Sequence, residues 1–85
     1  MAPEKCCVST PENLKGGAYA NKAVVTYSKE EFVVDFIMVS PAGRTVTSRV
    51  ILHPGHMKRI GGQLHDAVVK YQEQFEKIPL AEEPK

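Results

Sequence analysis

The chain has 85 residues, with 11 Lys and Arg against 10 Asp and Glu, and a net charge of +1 when histidine is neutral. At 42% apolar and 25% charged residues it has the composition of an ordinary globular domain. The near-neutral balance excludes a polyelectrolyte held on nucleic acid mainly by net charge, and no run of about 18 apolar residues is present to span a membrane. The opening residues lack the apolar core, about 7–15 residues long, that a secretion signal needs. Cys6 and Cys7 are adjacent, so in an extended chain they point opposite ways and a bridge between them is strained. No second thiol pair completes a zinc site. They read as reduced thiols of a cytoplasmic protein, with a metal site or an intermolecular disulfide as the alternatives.

Residues 1–18 contain Pro3, Pro11, Gly16 and Gly17 without apolar periodicity, and residues 79–85 read P-L-A-E-E-P-K. Both are expected to be disordered tails, unable to bury enough surface to offset their ordering entropy. One domain over residues 19–78 is left to form a core. At that size it buries only about 60% of its unfolded surface and is marginal alone.

Three runs rich in β-branched and aromatic residues come first: Lys22–Tyr27, Phe32–Val39 and Thr45–Leu52. Ser28-Lys29-Glu30-Glu31 suits a four-residue turn that sets Val25 opposite Val34 and Ala23 opposite Phe36. Ser40-Pro41-Ala42-Gly43-Arg44 suits a three-residue loop, with Pro41 starting the turn and Gly43 supplying a positive φ. That loop places Ser40 opposite Arg44, Met38 opposite Val46, Asp35 opposite Arg49, Val34 opposite Val50 and Phe32 opposite Leu52. The resulting meander has a first apolar face of Ala23, Val25, Tyr27, Phe32, Val34, Phe36, Met38, Val46, Val50 and Leu52. A slip of one residue would turn each set to the wrong face.

The remaining segment predicts a helix from Pro54 to about Glu76. Proline is favourable in a first turn because its missing N–H has no helical partner there. Met57, Ile60, Leu64, Ala67, Val68, Tyr71 and Phe75 fall in one arc, and Asp66–Lys70 and Glu73–Lys77 are acid-before-base pairs on the solvated side. Such a helix is roughly 34 Å long and overhangs strands of about 25 Å. The expected fold is therefore α+β, a three-stranded antiparallel meander followed by one long C-terminal helix packed on one face. Gly61 and Gly62 each cost about 1 kcal/mol relative to Ala inside a helix. Close approach of the helix to the sheet at Gly61 is the favoured reason, and a tolerated weakness or kink is the other.

The motifs Glu31-Phe32-Val33-Val34-Asp35-Phe36, Pro41, Arg49-Val50-Ile51-Leu52, Pro54-Gly55-His56, and Tyr71 with Phe75 resemble a family of short prokaryotic proteins known only as a domain of unknown function. That family's pattern is an E-F-x-x-D-F strand, a P-G-type turn, an R-V-x-L strand ending in P-x-H, and a helix closing near Y-E-x-x-F. The likeness runs from about Asn21 to Ile78. The chain departs from the pattern at Gln72-Glu73, where the family's acid follows the tyrosine directly, and at Gly61-Gly62. The resemblance implies the β-β-β-α order and brings no catalytic residue with it.

Few side chains offer chemistry. His53 and His56 flank the strand–helix junction, while His56 and His65 fall on opposite sides of the helix, so the three do not converge as zinc ligands. Exposed or capping histidine is the better reading, with His53 at the cap position. Asp35 and Arg49 form a cross-strand ion pair but lack a neighbouring nucleophile or base, and no phosphate loop or nucleophile elbow is present. No enzymatic activity, metal or cofactor is expected. Lys22, Arg44, Lys58 and Arg59 are scattered, without the aromatic stacking pattern of single-strand binders.

The sharper signal is the second sheet face. One helix covers one side of a three-stranded sheet, which leaves Val24, Val33, Ile37, Val39 and Ile51 as an apolar stripe, and such stripes mark interfaces. Val69, alone on the polar side of the helix, offers further contact. The expectation is a small, non-catalytic interaction or scaffolding module acting as a homo-oligomer, most simply a symmetric dimer. Its interface would comprise Val33, Asp35, Ile37, Val39, Arg49 and Ile51 if two sheets pack face to face at about 10 Å. Pairing of edge strands into a continuous sheet is the other geometry. A protein partner is compatible with this, and a small nucleic-acid-binding regulator is the alternative.

Overall fold

The computed structural model describes residues 8–82. The outer parts of both expected tails, and with them Cys6 and Cys7, lie outside the described residues. The run from residue 8 to 21 is irregular except for one 3-10 turn at Glu12–Leu14, beside which Lys15 pairs with Glu12 at 3.2 Å. Three strands follow, β1 (Lys22–Tyr27), β2 (Phe32–Ser40) and β3 (Gly43–Leu52), and then one helix, α1 (Pro54–Gln74). The strands form one antiparallel sheet in the order β1-β2-β3. The α+β class and the β-β-β-α order are those the sequence pattern predicts.

The first hairpin forms in the expected register, with Val25 opposite Val34 and Ala23 opposite Phe36. Its four-residue turn closes as the Ser28 N–H donates to the Glu31 carbonyl at 2.9 Å, while the Glu30 N–H donates to Ser28 Oγ at 3.3 Å. Tyr27 and Phe32 face each other across its mouth with ring centroids 5.5 Å apart, an arrangement that adds to simple burial.

The second hairpin departs from expectation by one residue. Its loop is Pro41-Ala42, with Ser40 opposite Gly43 rather than Arg44. From Phe32 to Phe36 the register is as predicted; past Phe36 it slips, so that Ile37 meets Val46 and Met38 meets Thr45. Thr47 is the extra residue, and its hydroxyl donates to the Phe36 carbonyl at 3.2 Å. The physical reason lies in the loop. Two-residue hairpin loops normally need a positive φ at their first position, which the proline ring forbids. The positive φ falls instead on Gly43, at +136°, and the bulge restores twist further along the strand. Ser40 Oγ steadies the loop by accepting from the Ala42 N–H at 3.2 Å.

Asn21 extends the β1–β2 ladder by one rung. Its N–H donates to the Ile37 carbonyl at 3.1 Å, its side-chain N–H donates to the Val39 carbonyl at 3.1 Å, and its Oδ1 accepts from the Val39 N–H at 2.9 Å. The carboxamide thus stands in for a strand residue where β1 has not yet begun.

At the start of α1, His53 is the N-cap, and its Nδ1 accepts from the Gly55 N–H at 3.0 Å. A Cβ on Gly55 would lie 3.4 Å from that same nitrogen, an ordinary contact distance. Pro54 occupies the first helical position and holds His53 extended, at φ −65° and ψ 144°. At the other end, the Phe75 N–H closes the helix on the Tyr71 carbonyl, and the Ile78 N–H donates to Gln72 Oε1 at 2.9 Å. Val69 and Gln72 are half-buried, so Val69 is less open than its place on the polar side suggested.

The packing of α1 is looser than the apolar pattern predicts. Pro54, Met57 and Ile60 are half-buried, but Leu64, Val68, Tyr71 and Phe75 are exposed, and no helix residue is fully buried. Shelter therefore fades along the apolar arc with distance from the strand. His53 alone joins β3 to α1, and its extended, pre-proline backbone leaves no loop in which the helix can turn back along the sheet. A Cβ on Gly61 or Gly62 would meet nothing within 4 Å, so the close approach expected at Gly61 is not made within the chain. Val34, in the middle of the central strand and 8% exposed, is the one buried apolar residue among the described residues.

Candidate assembly surface

The strand alternation sorts the sheet into two faces. Residues that pair across strands share a face, so the second face carries Val33 with Ile51, Asp35 with Arg49, Ile37 with Val46, and Val39 with Arg44. From β1 it receives Thr26, Val24 and Lys22, opposite Val33, Asp35 and Ile37. The structure thus brings together all six residues proposed for the interface: Val33, Asp35, Ile37, Val39, Arg49 and Ile51. It also corrects the membership. The bulge moves Val46, expected on the first face, to the second, where it widens the apolar stripe, and brings Arg44 to its end.

On this face Val33, Ile37 and Val39 are half-buried, while Ile51 is 60% exposed and Val46 50%. Across its middle, Arg49 Nε donates to Asp35 Oδ1 at 2.6 Å and Nη2 donates to Oδ2 at 2.9 Å, a two-pronged pair of the kind arginine favours. The Asp35 side chain is 18% exposed and the Arg49 side chain 61%. These hydrogen bonds hold the Asp35 carboxyl below its ordinary value, against an opposing push from partial desolvation and with help from the Arg49 charge. The same contact raises Arg49 above its usual value, first through the hydrogen bond and then through the carboxylate charge.

The first face holds Ala23, Val25 and Tyr27 beside Phe32, Val34, Phe36 and Met38, with Val50 and Leu52 on β3 and no charged side chain. Val25, Tyr27, Phe36 and Val50 are exposed on it. Residues Ala18 and Ala20 run beside Phe36, Thr47 and Ser48 and border a shallow depression at that end.

The polar candidates stay apart. His53 is engaged in capping, and its ring meets that of His56 edge-on at 5.6 Å. Arg59 Nη2 donates to His56 Nδ1 at 3.3 Å. Among the described residues no three His, Cys, Asp or Glu side chains lie close enough to share a metal ion, and no helix is long and apolar enough to cross a membrane. Lys22, Arg44 and Arg49 sit on the second face, whereas the sheet's aromatics, Tyr27, Phe32 and Phe36, sit on the first.

These features define a small β-β-β-α module with more apolar faces than its own layers cover. The chain belongs to the DUF3467 family, described as a protein of unknown function, whose family model matches residues 3–80. The motif resemblance pointed to a family of this kind. No curated protein and no solved structure matches the chain.

Proposed function

We propose that the protein is a non-catalytic interaction module that acts as a homo-oligomer, its second sheet faces forming a two-fold contact between copies. The observation that carries this reading is the burial: three strands and a 21-residue helix enclose one buried apolar side chain, Val34, among the described residues. The chain exposes 7642 Å², where a compact monomer of 9.4 kDa would expose about 5,000 Å². Its radius of gyration is 15.2 Å, against about 12 Å for a compact chain of 85 residues. The irregular ends contribute to both figures, so the argument rests on the strands and helix themselves. A layer apolar on both faces needs a covering layer on each.

An isologous contact would cover Ile51, Val46 and the stripe through Val33 and Ile37. It would also enclose the Asp35–Arg49 pair, whose mutual neutralisation lets it enter an interface and whose direction helps fix the register of the two copies. A role in nucleic-acid binding is less well supported, because stacking readers need bases to meet aromatic rings beside the cations that hold the backbone. Here the cations and the sheet's aromatic rings lie on opposite faces.

The test is light scattering on the wild type and on Ile37→Asp. The substitution places an unpaired carboxylate in the stripe and should lower the mass of the assembly, while the first face keeps its residues. A wild type that scatters as a single chain at high micromolar concentration would overturn the reading.

A further inference from the structure

We infer that the exposed apolar arc of α1 is covered by the first sheet face of a second copy, each chain lending its helix to the other. This inference rests on the homo-oligomer reading and adds a second, different contact to it.

Three observations on the molecule select this occupant. The arc Leu64, Val68, Tyr71 and Phe75 is uncharged and exposed, with Leu64 at 63% and Phe75 at 66%. The first sheet face is likewise uncharged and partly open: Val34 is buried on it, but Val25 is 45% and Tyr27 76% exposed. The exposed arc from Leu64 to Phe75 is about 17 Å long and fits within the roughly 30 Å of the nine-residue β2. Both surfaces belong to the same chain, yet the single residue His53 between β3 and α1 keeps the far half of the helix from reaching its own sheet. A second copy resolves both vacancies at once, and by symmetry it does so twice.

The helix itself requires such cover. Helical stability in proteins comes mostly from packing an amphipathic face rather than from propensity, and the propensity of α1 is lowered by Gly61 and Gly62. Two different two-fold contacts on one chain close a four-chain assembly when their axes meet at right angles, and that is the assembly inferred.

The experiment is light scattering with far-ultraviolet circular dichroism on the full chain as wild type, Ile37→Asp and Val68→Asp. The wild type should scatter as four chains, about 38 kDa from four copies of 9.4 kDa. Ile37→Asp should halve that mass and keep its helical signal, being still joined through helices. Val68→Asp should also halve it, held by the second faces, and lose most of its helical signal. A wild-type pair that Ile37→Asp splits and Val68→Asp leaves intact would overturn the exchange while sparing the second-face contact. A pair split by Val68→Asp alone would support the exchange and remove the second-face contact. A single-chain wild type would overturn both. Mixing guards against simple misfolding: Val68→Asp combined with Val25→Asp restores one intact helix-on-sheet contact per pair, so helical signal should return on mixing. No return would count against the exchange.

Discussion

Replacing His53 by alanine removes the acceptor that satisfies the Gly55 N–H at 3.0 Å, one of the donors that a helix start leaves without an intrahelical partner. Loss of an N-cap side chain costs about 1 kcal/mol, within a range of about 0.5–2 kcal/mol. For a domain of this size each kcal/mol moves the melting temperature by about 4–8 °C, so His53→Ala should melt several degrees below the wild type. The effect should be measured by circular dichroism at one fixed protein concentration, because association makes the midpoint depend on concentration. His53→Asp should recover the loss, since a carboxylate caps the same N–H and also complements the positive end of the helix dipole. An alanine variant that melts with the wild type would refute the assignment of His53 as the cap.

Gly62→Ala should raise the urea midpoint, by about 1 kcal/mol of stability, because its Cβ would enter open space on the side of the helix away from the apolar arc. A destabilised variant would mean that something packs against that side. Asp35 has a folded-state value below its unfolded one, so as pH falls the unfolded chain takes up the proton first. The pair's contribution is fully present above the unfolded value, about 3.9, and is lost as pH drops through the lower folded value. Urea midpoints between about pH 2 and 6 should therefore fall more steeply for the wild type than for Asp35→Asn; parallel curves would contradict the pairing. Asn21→Ala removes two hydrogen bonds to Val39 and should cost about 1–3 kcal/mol. Hydrogen exchange should quicken at the Val39 amide, and an unchanged rate there would show that the rung is not formed.

The first hairpin was legible because two independent signals agreed, a polar four-residue turn and apolar positions that matched only in one register. In the second, Val46 is apolar and fits either face, opposite Met38 or opposite Ile37, so the pattern imposed no penalty on a one-residue error. The loop signals misled as well: Pro41 and Gly43 suit a three-residue loop better than the observed two-residue loop, whose strain on the ladder is absorbed by the bulge at Thr47. The Asp35–Arg49 pair survived this because it lies before the bulge, whereas Arg44 and Val46 lie beyond it and changed places. Pro54 announced the helix start, and His53 was legible as its cap. Asn21 gave no such signal, since its partner Val39 is brought to it only by the folded sheet. Periodicity also identifies which stripe of a helix seeks cover, but it does not say which surface supplies it. That depends on the single-residue junction at His53, beyond which Leu64, Val68, Tyr71 and Phe75 are exposed.

The central claim is that this chain completes its core only with other copies of itself. Sedimentation equilibrium of the wild type, from about 1 to 200 μM and with helical content followed on the same samples, tests it most directly, since assembly and order should be lost together on dilution. The account predicts a mass of at least two chains at the upper concentrations, with helical signal falling as the mass falls. A single 9.4 kDa species that keeps its full helical signal across the range would contradict it.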